Sequence, residues 1–342
     1  MKYLIAGAGA IGAYIGALLA RSGEDVTLFA RGPHLKAMQE RGVRVFSPAG
    51  NFEVGPRVIG DLADSGPADV IFLGVKAHGL PQLAPAVKPL IHESTTVVST
   101  QNGIPWWFFQ SDPGPVSGLR LESVDPGGIA GASIPATAVL GSIIYFATDI
   151  LEPGVIRHIE GNRITLGEPN GERSERIHRL AEVLIKAGLR APVTTRIRHE
   201  IWVKLLGNVA FNPISALTRA TLAQMAGDPE VAGLVRKIMS EVEAIGGKLD
   251  LELPISIDQR IAGAAKVGEH KTSMLQDLEA GRPLEIEAIV GAVVELGERL
   301  SVPAPNTRAV YALTKLLAKT ALEGPKDRGN PGVPEQVVQQ RL

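Results

Sequence analysis

Hydrophobic and polar positions fall into two regimes that meet near residue 195. Before that point, short apolar runs alternate with helical patterns. Tyr3 to Ala6 is an apolar run too short for a helix, Ile11 to Arg21 carries aliphatic residues at helical spacing, and Asp25 to Phe29 is a second short run. Pro33 to Glu40 reads as a helix opened by proline, and Val43 to Phe46 with Phe52 to Val58 as a strand pair about the turn Ser47-Pro48-Ala49-Gly50. Val70 to Val75 is apolar without alternation, the pattern of a strand buried on both faces of a parallel sheet. A helix over Leu80 to Ile91 and a strand over Thr95 to Ser99 follow. Later strands are predicted at Ala138 to Phe146, Val155 to His158 and Arg163 to Leu166, then a helix over Ser174 to Ala187 stopped by Gly188.

From about Arg196 the pattern turns to long helices. His199 to Pro213 is one, with Pro213 expected to end or kink it. Asp228-Pro229-Glu230 supplies a cap, a proline and an acid at the start of a helix running to about Gly246. Further helices are predicted at Ile257 to Val267, Ser273 to Ala280, Leu284 to Leu300 and Thr307 to Leu322. The tail over 324–342, rich in glycine, proline and polar residues, is expected to fray. One stretch escapes both regimes: Ile104 to Gly128 begins with Trp106, Trp107, Phe108 and Phe109 in a row. Four successive aromatics are not expected to face one core together, so some would cover a pocket or a partner subunit. The competing reading is a buried insertion core.

Composition narrows the class. The 342 residues are 45% hydrophobic and 21% charged with a formal net charge of −1, which gives no reason to expect nucleic acid or an anionic membrane as partner. There is no cysteine, so disulfides and thiolate chemistry are excluded, and a cytoplasmic location is expected. The seven histidines form no ligand pair, so no metal is expected. Neither a secretory signal nor a membrane span is expected. A glycine turn interrupts the apolar start, and the uncharged stretch from Pro126 to Thr148 is broken by Gly and Pro.

That glycine turn, Gly7-x-Gly9-x-x-Gly12, follows a strand and opens a helix, the arrangement of a dinucleotide site. Gly7 permits the turn, Gly9 lets backbone approach a pyrophosphate, and Gly12 lets helix and strand pack closely. The N–H groups at Ala10, Ile11 and Gly12 then meet the phosphates at the positive end of the helix dipole. The expected fold is therefore α/β: an N-terminal Rossmann-type domain over 1–195 followed by an all-α domain over 196–323. Ala30 and Arg31 stand at the end of the second strand where an NAD site carries an acid, so NADP is preferred, with Arg31 on its 2′-phosphate. Lys76 and Asn102 each stand at the C-terminal end of a predicted strand, where open α/β sheets bind ligands. The competing reading of Lys76 is a surface lysine starting a helix, and Asn102-Gly103 could equally be an ordinary turn.

In the second regime Lys204, Asn208 and Asn212 are spaced by four and share an arc of about 80° on a helix. A cation and two amides beside the apolar Ile201, Leu205 and Val209 would line a polar cleft, or form a partly exposed stripe. Ser273 with Gln276 fits a capping box, and Glu285 after Pro283 fits an acid in a helix's first turn.

Taken together, Gly7-Ala8-Gly9-Ala10-Ile11-Gly12, Lys76, Asn102-Gly103, Lys204-x3-Asn208-x3-Asn212-Pro213, Thr272-Ser273-Met274-x2-Asp277 and Glu285 resemble the 2-dehydropantoate 2-reductase, or ketopantoate reductase, family over about residues 1 to 322. The resemblance implies a cleft between the two domains and NADPH-dependent reduction of ketopantoate, a small 2-oxo acid, in pantothenate biosynthesis. Lys204 would be the general acid on the C2 oxygen, with Glu285 holding it. Ser273 and Asn102 would bind the carboxylate end, Asn208 and Asn212 would line the substrate site, and Lys76 would contact the nicotinamide side. A homodimer is compatible with it, and closure about residues 190 to 200 would bring the parts together. The chain departs from the family pattern in its long 105–128 segment and in Glu269-His270-Lys271 upstream of Ser273, features that would suit another branched 2-oxo or 2-imino acid. A non-catalytic NADP-binding sensor is the remaining alternative.

Overall fold

A computed structural model describes residues 1–110 and 116–323, so the tail expected to fray lies outside the described residues. The N-terminal part runs β1 (Lys2–Ala6), α1 (Ala10–Arg21), β2 (Asp25–Phe29), α2 (Gly32–Arg41), β3 (Val43–Phe46), β4 (Phe52–Val54), β5 (Arg57–Ile59), β6 (Val70–Leu73), α3 (Leu80–Val87), β7 (Thr96–Ser99), α4 (Ile129–Ser133), β8 (Val139–Glu152), β9 (Val155–Gly167) and α5 (Glu175–Lys186). Its nine strands order as β4-β3-β9-β8-β7-β6-β1-β2-β5. From β8 through β7, β6, β1 and β2 to β5 every pairing is parallel. All four residues of β6 are buried, as a strand covered by helices on both faces requires. Strand order reverses between β1 and β6, and the crevice at their C-terminal ends is where this Rossmann-type fold takes ligands.

Two readings of the strand region change. Phe52 to Val58 is not one strand: β4 pairs antiparallel with β3, whereas β5 pairs parallel with β2 at the other end of the sheet. Pro56, with no N–H for a ladder, separates them. Only Gly55 and Pro56 lie between β4 and β5, so the sheet curls until its two ends approach. The strands around Ala138 and Val155 are longer than their apolar runs and form one hairpin, with register shifts after Tyr145, Ala147 and Ile150.

The helical part comprises α6 (Ile197–Thr218), α7 (Leu222–Gly227), α8 (Pro229–Gly247), α9 (Ile257–Val267), α10 (Ser273–Glu279), a π-helical turn (Glu287–Gly291), α11 (Ala292–Arg299) and α12 (Pro305–Glu323). Pro213 does not end α6, which continues to Thr218. Proline deletes one hydrogen bond, to the Val209 carbonyl, and the wholly buried stretch Phe211 to Ala216 holds the helix together around it. Ser273 is not a cap either: Thr272 Oγ1 accepts from the Leu275 N–H at 3.3 Å, and Ser273 is exposed.

The expectation that four successive aromatics could not share a core is overturned. Trp106, Trp107, Phe108 and Phe109 are 4%, 0%, 0% and 2% exposed and belong to one apolar cluster. They lie in consecutive turns rather than on a straight strand or helix, so neighbouring side chains need not diverge. Phe108 meets Phe109 edge-on at 4.9 Å, and Trp107 Nε1 donates to Ser99 Oγ at 2.8 Å, satisfying the buried indole. The same cluster runs from Leu4 and Ile71 on the sheet to Trp202 on α6 and Ile238 on α8. A second cluster fills the opposite sheet face under α1 and α5. Among the described residues no helix is long and apolar enough to cross a membrane.

Candidate active site

At the reversal crevice the glycine turn is shaped by steric need. A methyl group on Gly12 would lie 2.2 Å from the Gly7 carbonyl oxygen, and one on Gly7, whose φ is +113°, 2.6 Å from Val75 Cγ1. Gly9 differs, since a methyl there would meet protein only at 3.6 Å, on Gly74 O. Packing leaves room at Gly9, and that room faces a cleft of about 270 Å³ lined by Gly7, Ala8, Gly9, Arg31, His34 and Val75. Gly9 is the N-cap of α1 without a side-chain cap, and the first turn has no acid, so the N–H groups of Ala10, Ile11 and Gly12 are left to an anion. These features fit a nucleotide pyrophosphate. Arg31 is exposed at the cleft's edge, its guanidinium 5.1 Å from the Phe29 ring centre. No acid is among the described residues that line the cleft.

Lys204 projects from α6 to the sheet. Its Nζ donates to Asn102 Oδ1 at 2.8 Å and to the Ile144 carbonyl of β8 at 2.8 Å, and lies 5.4 Å from the Tyr145 ring centre. Although the stem is partly exposed, the ammonium end is enclosed. Burial drives its pKa down to about 8, with the charge of Glu285 opposing and that of Arg260 adding to the fall. Because an ammonium can only donate, Asn102 turns its oxygen toward Lys204 and keeps its amide N–H groups for another acceptor.

Glu285 precedes the π-helical turn rather than sitting in a helix's first turn. Its Oε1 accepts from the Ala77 N–H at 3.0 Å. The expected grip on Lys204 is thus not a hydrogen bond but a charge acting at longer range. Burial pushes the Glu285 carboxyl up, against the Ala77 N–H and the Lys76 ammonium, which hold it down. Lys76 is ion-paired with Asp277, whose other oxygen accepts from Arg282 Nε at 3.0 Å. Asn212 is buried, and its Nδ2 has no hydrogen-bond acceptor among the described residues; Asn208, one turn before it, is partly buried. Ser273 is exposed at the start of α10.

Several participants carry no local signal. Gly74 packs so tightly that a methyl group would lie 2.1 Å from Gly7 O, and only its place at the end of an apolar strand hints at close approach. Gln101 donates to the Leu73 and Val75 carbonyls, fixing the loop that carries Asn102. The π-helical turn offers Ala288 O to the Ile104 N–H at 2.9 Å, tying that loop to the segment bearing Glu285. Tyr145 and Arg260 complete the surroundings of Lys204.

Comparison with known proteins agrees in both halves. Residues 3–106 match the family model described as Ketopantoate reductase PanE/ApbA, and residues 196–318 match Ketopantoate reductase PanE/ApbA C terminal. A 2-dehydropantoate 2-reductase of Mesorhizobium japonicum is 50% identical over 319 residues, covering 93% of this chain and 98% of its own. Among solved structures, a candidate ketopantoate reductase from Ralstonia solanacearum superposes with a TM-score of 0.89 at 40% identity, covering 94% of this chain and 98% of its own. The 2-dehydropantoate 2-reductase of Methylococcus capsulatus gives 0.79 at 30% identity, with coverage of 94% and 98%.

Proposed function

This chain belongs to the ketopantoate reductase family, and from that premise we propose that it reduces 2-dehydropantoate to pantoate with NADPH, a step of pantothenate biosynthesis. NADPH supplies the hydride. The first-turn N–H groups of α1 would hold its pyrophosphate beside Gly9, and Arg31 would pair with its 2′-phosphate. Lys76, ion-paired with Asp277, would contact the nicotinamide side of the cofactor.

Negative charge builds on the C2 oxygen as hydride reaches C2, and Lys204 both stabilises that charge and delivers the proton. A lysine whose pKa is lowered to about 8 is charged at neutral pH yet gives up its proton more readily than an ordinary one. Asn102 presents its N–H groups to the substrate, and Asn208 and Asn212 continue the polar wall along α6. Glu285 keeps Lys204 protonated through its charge. The neutral lysine left behind regains a proton from solvent, so one NADPH and one proton are consumed per 2-oxo acid reduced.

What carries this reading is the Lys204 ammonium of the helical half, hydrogen-bonded to Asn102 at the ligand-binding edge of the sheet. The test is loss of NADPH absorbance with ketopantoate against a panel of 2-oxo acids. Turnover should be best on ketopantoate and fall about 10²- to 10⁴-fold in Lys204→Ala, as for loss of a general acid. Turnover confined to another acid, or none, would sink the assignment.

A further inference from the structure

Near Lys204 the helical half places a cation, Arg260, that the reaction as described leaves unused. Arg260, on α9, rests against Gly207 of α6: a methyl group there would lie 2.5 Å from Arg260 Nη2 and 3.0 Å from Nε. Gly207 is three residues after Lys204 on α6, about 60° from it round the helix, so the guanidinium lies beside the face that carries Lys204. Lys204 has Asn102 and the Ile144 carbonyl, and Lys76 has Asp277, but the Arg260 guanidinium has no hydrogen bond or ion pair among the described residues. It is only partly buried. Its charge is nonetheless felt at Lys204 and at the Tyr145 hydroxyl.

Two cations thus stand on neighbouring parts of the α6 surface. Glu285, whose charge acts on Lys204, is committed to the Ala77 N–H. A guanidinium is a planar fork that matches a carboxylate with two parallel hydrogen bonds, which an ammonium cannot do. A 2-oxo acid carries its carboxylate on the carbon next to the ketone, so it calls for two neighbouring cationic donors, an ammonium for the ketone oxygen and a guanidinium for the carboxylate. Ser273, the residue expected at the carboxylate, is exposed at the start of α10.

We propose that Arg260 binds the C1 carboxylate of the substrate and thereby selects 2-oxo acids over neutral ketones. The proposal rests on the reading of the site as a 2-oxo-acid reductase. The variants are Arg260→Met, which keeps the apolar stem, and Arg260→Lys, which keeps the charge and loses the fork. Full-length protein is assayed for NADPH oxidation with ketopantoate and with its neutral lactone. Inhibition by pantoate and by its neutral lactone gives the same comparison if the ketolactone turns over slowly.

Arg260→Met should raise KM for ketopantoate about 10- to 100-fold, the range for losing hydrogen bonds to a charged group, with a smaller change in kcat. The neutral compounds should be affected far less, and Arg260→Lys should recover part of the loss. A KM within twofold of the parent's, or equal losses on acid and lactone, would overturn the role of Arg260 while leaving the reductase assignment standing. Failure of the unmodified protein to oxidise NADPH with ketopantoate would instead remove the assignment on which the role rests.

Discussion

At the scale of single residues, the chemistry turns on how far the protein bends the ordinary behaviour of a lysine. Enclosure lowers the Lys204 pKa to about 8, and the charge of Glu285 resists that fall. With Lys204 as the proposed acid, reduction requires the ammonium, which is present below the pKa and lost above it. The value of kcat/KM for ketopantoate should therefore be level near neutrality and drop about tenfold per pH unit above about 8. Oxidation of pantoate requires the free amine and should rise through the same region. A profile in which both directions break together near pH 10 would show that Lys204 is not the titrating acid. Glu285→Gln keeps an acceptor for the Ala77 N–H but removes the charge, so the break should move to lower pH and reduction at neutral pH should weaken. The spacing of Lys204, Asn208 and Asn212 was readable because helical period is local. The role argued for Arg260 was not readable, because nothing near position 260 announces which distant helix it will touch.

At the scale of elements, two close approaches hold the site's backbone. Gly74 and Gly12 both press on the Gly7 carbonyl, where an added methyl would meet backbone at 2.1 Å and 2.2 Å. Backbone cannot swing aside as a side-chain end can, so Gly74→Ala should cost about 1–3 kcal/mol in denaturant unfolding. It should also weaken NADPH binding at least tenfold in a fluorescence titration. Unchanged nucleotide affinity would mean that the turn tolerates displacement. Gly103, at φ +85°, packs its Cα where a side chain would lie 2.2 Å from Ala288 O. The Asn102 loop and the π-helical turn are therefore packed backbone against backbone. The Gly-x-Gly-x-x-Gly pattern exposed half of this arrangement. The π-helical turn stayed hidden because its free carbonyl has a partner, Ile104, far away in sequence.

At the scale of the whole molecule, the two halves share apolar packing. One cluster includes Leu73 of the sheet, the four aromatics after Asn102, and Trp202 and Met239 of the helices. A chain of residues 1–195 alone would leave Trp107 and Phe108 without their helical cover. That fragment should therefore not unfold cooperatively, while the full chain should melt in one calorimetric transition. Two well-separated transitions in the full chain would contradict this. The closure expected about residues 190 to 200 must then be a small rotation that tightens Lys204 on the substrate. Identical angles between the halves in apo and ternary crystals would remove it.

By itself the sequence determined what depends on near neighbours: the βαβ start, the glycine turn, the helical second half and the alignment of Lys204 with Asn208 and Asn212. Backbone preference and side-chain period act over a few residues, so they survive in a one-dimensional reading. Only the tertiary structure decided that β4 and β5 part at Pro56, that Trp106 to Phe109 all turn inward, that Thr272 rather than Ser273 caps α10, and that the Lys204 ammonium is sealed against Ile144. Each of these is set by burial or by a partner distant along the chain. The free energy of enclosing an aromatic ring or a charge depends on what surrounds it in space, and that is what pattern along the chain does not contain.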